Sequence, residues 1–382
     1  MRVLTIGRLP HAEVGGLPLY TANLAAALVD LGVEQHVVHT GPEPERGRYR
    51  FPTRSPAPRT WPARGRLRSF REAFAVATEA RRAIRELGPD VVHLQYGGAM
   101  DLALLSRIAG PVPVVVTAHC GRAWAHLGRF PKPSMAVLSR ADRVLVISAD
   151  QRELFVGARL RPERVVQIGS LVEPEFFAPV EPTLAGRALH REHGGRPRAV
   201  YLGRIAPEKG LDLAIDALAA LPADQRPTFT ATGPVAPDHA AELTARAAAA
   251  GLGDDFRLAD PVATPAERRR VLDEADLVIH PTRSDVKPLV VIEAMARALP
   301  VVASALPGTV ELMEGTGSSF AVGDAGDLTG ALAGLLPRLG ELTLGLDARE
   351  VAEAYHPERA AAETLAHYEQ LAAAAAVAGG AR

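Results

Sequence analysis

The sequence lacks several features that would assign it to a protein class directly. Its 382 residues include a single cysteine, Cys120, which rules out a disulfide within the chain and fits a reducing compartment. Aromatic residues are few (5%), and the formal net charge of −1 gives no basic field for a nucleic acid. No apolar run approaches the ~20 residues that span a bilayer, and no signal-peptide pattern is visible. We therefore expect a cytoplasmic protein that binds no nucleic acid.

What is present indicates a folded protein of two domains. Hydrophobic residues make up 47% of the chain and charged residues 23%, a balance typical of globular proteins. A chain of this length is expected to form two domains, each with its own core. Residues 173–197 are rich in proline and glycine and read as a linker. We predict domains at 1–175 and 176–355, with a last helix at about 357–376.

In the first half, apolar runs alternate with helical patterns, which favours a parallel sheet with helices between its strands. Buried strands are predicted at 3–6, 33–39, 90–94, 112–117 and 165–168, and helices at 18–31 and 70–87. Gly15 and Gly16 stand between the first strand and the first helix. They either make the turn or let the backbone approach a phosphate at the helix N-terminus.

Two other features of this half could serve a ligand. His119 follows the strand at 112–117. A lone histidine is most often a hydrogen-bonded structural residue, but a position past the carboxyl end of a parallel strand increases the expectation that it faces a cleft. The segment 46–71 carries nine arginines without an apolar stripe before Phe70. A solvated loop is the favoured interpretation of this segment, over an acceptor loop or a patch that docks on an acidic surface.

The strand and helix pattern restarts at residue 199. A strand at 199–203 is followed by Arg204 and Lys209 on one loop, and a turn at Thr232-Gly233-Pro234 follows a strand at 229–232. Two cations at the carboxyl end of a parallel strand can clamp a diphosphate, with arginine as a bidentate donor and lysine as a point charge. A pair of solvated loop charges is the alternative.

The stretch 281–304 holds two carboxylates, Asp285 and Glu293, which are eight positions apart. Short apolar strands are predicted on either side of it, at 277–280 and 301–303. Strand, polar loop, apolar helix and strand is the order in which an open α/β sheet presents a ligand site. An ordinary β-α-β unit with solvated carboxylates is the alternative.

Together these motifs resemble glycosyltransferase family 4, the large retaining family of glycosyl transferases group 1. The resemblance covers essentially the whole chain, and its motifs are Gly15-Gly16, His119, Gly203-Arg204, Glu208-Lys209-Gly210, Thr232-Gly233-Pro234 and Asp285…Glu293-Ala-Met-Ala. It implies the α/β GT-B fold, in which two Rossmann-like domains face each other across a cleft. The C-terminal helix would return to the first domain.

The resemblance also implies roles for single residues. Arg204 and Lys209 would hold a nucleoside diphosphate and stabilise it as the leaving group. Glu293 would accept the ribose hydroxyls, Asp285 would lie against the donor sugar, and His119 would lie beside the anomeric centre. The implied catalytic residues are His119, Asp285, Arg204 and Lys209. The implied donor-binding residues are Gly15, Gly16, Gly203, Arg204, Lys209, Gly233, Lys287, Pro288, Leu289 and Glu293.

No metal or cofactor is expected, since the sequence has no Asp-x-Asp or His-x-x-His ligand pattern and the family needs none. Two positions depart from the family pattern. Asp285 stands where glutamate is usual, and Pro288 replaces a glycine and cannot donate a backbone hydrogen bond. These departures bear on the identity of the donor sugar more than on the reaction class.

The expected activity is retaining transfer of a hexose, of glucose or N-acetylglucosamine type, from a UDP-linked donor to an acceptor hydroxyl. The favoured acceptor is a small aminocyclitol of natural-product biosynthesis. A lipid-linked or cell-envelope glycan is the alternative acceptor, for which the arginine-rich segment 46–71 would make a peripheral membrane contact. A nucleotide-sugar 2-epimerase and a catalytically silent sugar-nucleotide-binding protein are the rival functions.

Overall fold

The chain folds as two compact α/β units. The computed structural model describes residues 1–10, 16–40, 44, 47–56, 66–96, 108, 110, 112–119, 138–262 and 264–380. Among these, the first unit comprises 1–10, 16–171 and 357–380, and the second comprises 172–356. The division thus falls at Leu171–Val172, four residues before the predicted domain boundary, and the last helix belongs to the first unit.

The first unit is built on a seven-stranded parallel sheet in the order β3-β2-β1-β4-β5-β6-β7. Its strands are β1 (Arg2–Arg8), β2 (Glu34–Thr40), β3 (Thr53–Arg54), β4 (Val91–Tyr96), β5 (Val114–Ala118), β6 (Arg143–Val146) and β7 (Val165–Gln167). The central strands are apolar and buried on both faces, as parallel strands covered by helices must be. The order in which the chain adds strands reverses between β1 and β4. Open α/β sheets bind ligands at such a point.

The described helices of this unit are α1 (Gly16–Asp30), α2 (Arg66–Leu87), α3 (Ala149–Gly157) and the C-terminal helix (Pro357–Gly380). The C-terminal helix packs against α1 and buries Tyr368 fully. The helix thus returns to the first unit, as expected.

The prediction of an unstructured loop at 46–71 is wrong in part. Thr53 and Arg54 form an edge strand on β2, and Phe51 beside them packs into a core cluster with Leu9 and Val37. The helix α2 begins at Arg66, four residues before the predicted Phe70. The apolar stripe did not reveal this first turn, because two of its four residues are arginines. Residues 57–65 lie outside the described part of the chain.

The second unit has a six-stranded parallel sheet in the order β10-β9-β8-β11-β12-β13. Its strands are β8 (Arg198–Leu202), β9 (Thr228–Thr232), β10 (Phe256–Ala259), β11 (Leu277–His280), β12 (Val301–Ser304) and β13 (Ser318–Phe320). Its helices are α4 (Glu181–Glu192), α5 (Leu211–Ala220), α6 (Pro237–Ala249), α7 (Pro265–Glu274), α8 (Leu289–Ala296), α9 (Pro307–Met313), α10 (Ala325–Leu335) and α11 (Leu342–Ala352). The strand order reverses between β8 and β11, so the loops after these two strands meet. Two Rossmann-like parallel-sheet units are thereby confirmed.

The interpretation of 173–197 as a breaker-rich linker is wrong for half of its length. It contains a short 3-10 turn (Pro174–Phe177) and the twelve-residue helix α4. Pro182 misled the prediction, since it stands in the first turn of α4, where a proline displaces no intrahelical hydrogen bond. Across the described residues, no helix is both long and apolar enough to cross a membrane.

One buried arginine binds the start of the segment 173–197 to the rest of the second unit. Arg297, just after α8, is 2% exposed. It donates to the backbone carbonyls of Phe176, Ala178 and Pro179 at 3.2, 2.6 and 3.2 Å, and pairs with Asp273 at 2.6 Å. The carbonyls of a chain segment without strand partners are thereby satisfied, which a buried backbone requires.

Arg297→Met tests this role in stability. We expect the variant to lose about 3–5 kcal/mol of unfolding free energy, because three carbonyls and a carboxylate lose their buried donor. The matched control is Arg246→Met, an exposed arginine that pairs with Asp216 and should cost under about 1 kcal/mol. Chemical denaturation measures both, and equal losses in the two variants would contradict the assignment.

Candidate functional site

The loops that follow β8 and β11 lie in direct contact. Gly210 adopts φ +71°, and a Cβ on it would lie 2.0 Å from the carbonyl oxygen of Pro281. Only glycine allows both this backbone conformation and this approach. The contact places the loop 203–210 beside the loop 281–288, at the point where the strand order of the sheet reverses.

Arg283 fixes the same pair of loops with its side chain. Its guanidinium binds both carboxylate oxygens of Asp212 at 2.8 and 2.6 Å and donates to the carbonyl of Pro207 at 2.9 Å. Its backbone N–H donates to the carbonyl of Glu208 at 2.8 Å. The sequence analysis did not assign Arg283 or Asp212 to the site, because the two residues are 71 positions apart and no motif joins them.

The predicted cations lie on the first loop, each beside a carboxylate. The Nζ of Lys209 donates to Oδ2 of Asp285 at 2.7 Å, so the structure brings these two predicted residues together. Arg204 pairs with Glu208 at 2.5 Å and is more than half exposed. Each of the two cations is thus paired with a carboxylate, Lys209 with one on the neighbouring loop and Arg204 with one on its own loop.

The Asp285 carboxylate is kept ionised by its surroundings. Burial alone would raise its pKa, but its interactions with His280 and with the Lys209 ammonium outweigh burial and hold the pKa of Asp285 well below its usual value. Its other oxygen accepts the backbone N–H of Val286 at 2.9 Å. A carboxylate held in this way is suited to accept hydrogen bonds from hydroxyl groups and unsuited to act as an acid near neutral pH.

Gly203 and Gly233 form a second backbone contact at the site. A Cβ on Gly233 would lie 1.8 Å from the carbonyl oxygen of Gly203, and both glycines have positive φ, +155° and +140°. The N–H of Gly203 donates to the carbonyl of Thr232 at 3.1 Å. The two predicted glycines therefore have a structural reason to be glycine, since they let the loops after β8 and β9 lie side by side.

His280, the last residue of β11, is a site residue that the sequence analysis missed. It is buried, its Nε2 lies 3.8 Å from the Asp285 carboxylate, and the ring of Tyr201 lies parallel to it at 6.1 Å. Burial lowers the pKa of His280, so the imidazole is neutral. The signal was available, since a histidine ending an apolar strand directly before a polar loop marks a strand carboxyl end.

Lys287 and Pro288 are both buried in the loop that precedes α8, which the sequence did not indicate. The Lys287 side chain is buried, pairs with Glu311 at 3.0 Å, and has its ammonium 4.9 Å from the ring centre of Tyr355. The charge of Lys287 is therefore used within the protein. Pro288 is buried and caps the N-terminus of α8, which Leu289 begins.

Glu293 lies on α8 in a buried charge cluster. Arg268 on α7 is 3.3 Å from the Glu293 carboxylate and 2.7 Å from that of Glu173, and its guanidinium lies 5.5 Å from the ring centre of Phe176. Burial raises the pKa of Glu293 to about 7, Arg268 opposes the rise, and the nearby Glu173 adds to it. The sequence analysis assigned Glu293 but missed Arg268 and Glu173, whose 95-residue separation carries no local signal.

Two further predicted residues, His119 and Gly16, belong to the first unit. His119 follows β5, as predicted, and lies partly exposed against the ring edge of Tyr20 at 4.7 Å. Gly16 is the first residue of α1, and a Cβ there would meet no atom of the described residues within 4 Å. Gly15 lies outside the described residues, as does Cys120.

The side chains that most often bind a metal ion are those of His, Cys, Asp and Glu. Within the part of the chain that the structure describes, no three of them lie close enough to bind one ion. The chemistry that the described side chains can supply is electrostatic: two cations, an ionised carboxylate and backbone N–H groups at strand and helix ends.

The sequence profiles of two families match the two halves of the chain. Residues 14–176 match Glycosyltransferase Family 4, and residues 196–338 match Glycosyl transferases group 1. Among curated proteins, the D-inositol 3-phosphate glycosyltransferase of Geodermatophilus obscurus is 31% identical over 79% of this chain and 72% of its own length. The enzyme of the same name from Mycobacterium marinum is 31% identical over 69% of this chain and 59% of its own length. This chain thus spans about three fifths of that second relative.

Solved structures share the fold at lower identity. Sucrose-phosphate synthase of Thermosynechococcus elongatus matches with a TM-score of 0.80 and 22% identity over 98% of this chain and 99% of that one. Anabaena Alr3699/HepE, in complex with UDP and glucose, matches with a TM-score of 0.74 and 19% identity over 96% of this chain and 100% of that one. The profiles, the relatives and the fold agree with the motifs assembled around β8 and β11, and on this ground the chain belongs to glycosyltransferase family 4 and is a transferase with the GT-B fold.

Proposed function

We propose that this glycosyltransferase moves a hexose, of glucose or N-acetylglucosamine type, from UDP to an acceptor hydroxyl with retention at the anomeric carbon and without a metal. The observation that carries the proposal is the contact of Lys209 with Asp285 at 2.7 Å, on two loops held together at Gly210. It sets a phosphate-binding cation directly beside a sugar-binding carboxylate. That is the arrangement needed at a bond between a sugar and a diphosphate.

The cations act on the leaving group. When the bond from C1 to the diphosphate oxygen breaks, the electron pair leaves with the diphosphate, and negative charge builds there. Arg204, which is exposed and pairs with Glu208 at the surface, can turn to the diphosphate with both N–H groups of its fork. Lys209 adds a point charge beside it. Because both cations are on the protein loop before the substrate arrives, little reorganisation is needed in the transition state.

Asp285 orients the sugar in this proposal. Its carboxylate is ionised and is held by Lys209 and by the N–H of Val286, so its remaining lone pairs can accept sugar hydroxyls. Asp285 binds the sugar through hydrogen bonds and does not attack C1. The acceptor hydroxyl oxygen bonds to C1 on the face from which the diphosphate departs and passes its proton to the departing diphosphate oxygen, which gives retention.

Glu293 would read the ribose of the nucleotide. A carboxyl group that shares Arg268 with Glu173 is fixed in position, and two ribose hydroxyls are suitable donors to it. The same cluster explains why a glutamate can lie buried at this place, since Arg268 offsets the charge of the unliganded carboxylate.

We expect residues 285–289 to determine which hexose the donor carries. Pro288 offers no N–H, and the Lys287 side chain is engaged by Glu311, so we assign the outer sugar hydroxyls to the backbone N–H groups of Lys287 and Leu289. The shorter Asp285 reaches less far towards the sugar than a glutamate would. These differences alter which hexose fits while the diphosphate clamp is unchanged.

The choice of UDP and of the acceptor class is supported by the relatives. Anabaena Alr3699/HepE has been crystallised with UDP-glucose, and the named curated relatives act on D-inositol 3-phosphate, a cyclitol derivative. These names agree with a soluble cyclitol acceptor such as an aminocyclitol. A lipid-linked or cell-envelope glycan is the second candidate, since one structural neighbour, WaaG, takes part in lipopolysaccharide biosynthesis.

A product assay on the wild-type protein tests the reaction. With a UDP-hexose and a panel of cyclitol acceptors in excess EDTA, we expect acceptor-dependent release of UDP and, by NMR, a product with the anomeric configuration of the donor. EDTA should leave the rate unchanged, because the leaving group is stabilised by side chains. An inverted product would contradict the mechanism, and conversion of the donor without any acceptor would indicate a 2-epimerase.

Arg204→Met tests the clamp. We expect kcat/KM for the donor to fall about 10²–10³-fold at unchanged melting temperature, since the exposed guanidinium contributes to the transition state and little to the fold. The matched control is Arg338→Met, which removes an equally exposed arginine paired with Glu341 and should leave both quantities unchanged. Near-wild-type turnover in Arg204→Met would rule out the clamp.

A further inference from the structure

A chain of buried polar side chains runs behind His119 in the first unit. The Nε2 of His119 lies 2.7 Å from Oε1 of Gln95, the fifth residue of β4. The amide of Gln95 in turn lies 3.2 Å from the ring of His93. His93 bonds to the Thr117 hydroxyl at 2.7 Å and, through Nδ1, to the hydroxyl of Tyr368 at 2.5 Å. The chain thus joins His119 to the C-terminal helix.

The position of Gln95 is prepared by its neighbours. Gln95 is 2% exposed, and a Cβ on Gly7 of the adjacent strand would lie 3.0 Å from its Cβ. Gly7 therefore provides the space in which the amide lies across the carboxyl edge of the sheet. On the other side of His119, the edge contact with Tyr20 limits rotation of the imidazole.

The hydrogen bond to Gln95 decides which nitrogen of His119 carries the proton. An amide oxygen can only accept, so Nε2 must donate to it, and the neutral ring then has its lone pair on Nδ1. The packing around the partly exposed ring lowers the pKa of His119, because it disfavours the charged form, and this keeps the ring neutral at physiological pH. A neutral imidazole in this tautomer accepts a hydrogen bond through Nδ1 and cannot serve as a cation.

We propose that Gln95 is a positioning residue that holds His119 as the Nε2–H tautomer and leaves Nδ1 to accept a hydrogen bond from a substrate hydroxyl. Tyr368 and Thr117 anchor the far end of the same chain through His93. The statement about the tautomer stands on the contacts of the first unit alone. The statement about the substrate hydroxyl rests on the proposed function, in which His119 lies beside the anomeric centre.

The tautomer can be measured without any substrate. In long-range proton–nitrogen NMR of the full-length protein, His119 should show a protonated Nε2 and an unprotonated Nδ1. Gln95→Met removes the acceptor and should mix the tautomers. A wild-type protein with the proton on Nδ1, or a Gln95→Met variant with an unchanged pattern, would overturn the proposal, and the wild-type spectrum decides even if the variant fails to fold.

Kinetics separate positioning from a merely structural role. We expect Gln95→Met to lower kcat about 10–100-fold with little change in the donor KM, because the ring is misplaced while the diphosphate clamp is intact. The control is Gln35→Met, which removes another buried amide of this unit, one that donates to Thr5, and should change neither the tautomer nor kcat. Wild-type kcat in a Gln95→Met variant with mixed tautomers would refute the positioning role.

Gln95→Glu provides the opposite change. It keeps an acceptor for Nε2–H and adds a negative charge, which raises the pKa of His119 and moves the acid limb of the pH–rate profile to higher pH. The other titratable side chains around this chain in the described residues are Tyr20, His93 and Tyr368, with Glu363 of the C-terminal helix close enough to act on Tyr20. Burial keeps Tyr20, His93 and Tyr368 neutral. An unshifted acid limb would contradict the contact. Failure of the wild type to transfer sugar would instead refute the proposed function, and the NMR result would still decide the role of Gln95.

Discussion

The close approach of Gly210 to the carbonyl of Pro281 is the constraint on which the candidate donor site depends. With any larger residue at 210 the loops after β8 and β11 would separate, because a Cβ would lie 2.0 Å from that oxygen. Their contact brings Lys209 to Asp285, and the bidentate pair of Arg283 with Asp212 holds them there. The proposed chemistry, a cation at the diphosphate and a carboxylate at the sugar, follows from one backbone contact.

Much of this arrangement is readable in the sequence because it is local. An apolar run bounded by loops predicted β11 with the ends that the structure gives it, at 277–280. Glycines and charges placed just after strands predicted which loops would carry the candidate site, and the loops after β8 and β11 lie in contact. These signals depend on only a few neighbouring residues, and a parallel sheet then brings the strand ends to one edge.

The parts that the sequence did not reveal depend on contacts between distant residues. Three such contacts join residues from different elements. They are those of Arg283 with Asp212, of Arg268 with Glu173, and of Arg297 with the carbonyls near Pro179. In a sequence, an arginine that will be buried looks like one that will be solvated. The sequence did not predict the helix α4 for a different reason. Pro182 suggests a helix breaker, but it stands in the first turn, where a proline is tolerated.

Calorimetric titration of the wild-type protein with UDP and with UMP tests the central claim most directly. If Arg204 and Lys209 form a diphosphate clamp, the second phosphate group carries much of the binding energy, and UDP should bind at least tenfold more tightly than UMP. Added salt should weaken UDP more than UMP, because the additional contacts are ionic. Equal affinities for the two nucleotides would contradict the clamp and, with it, the assignment of this loop pair as the donor site.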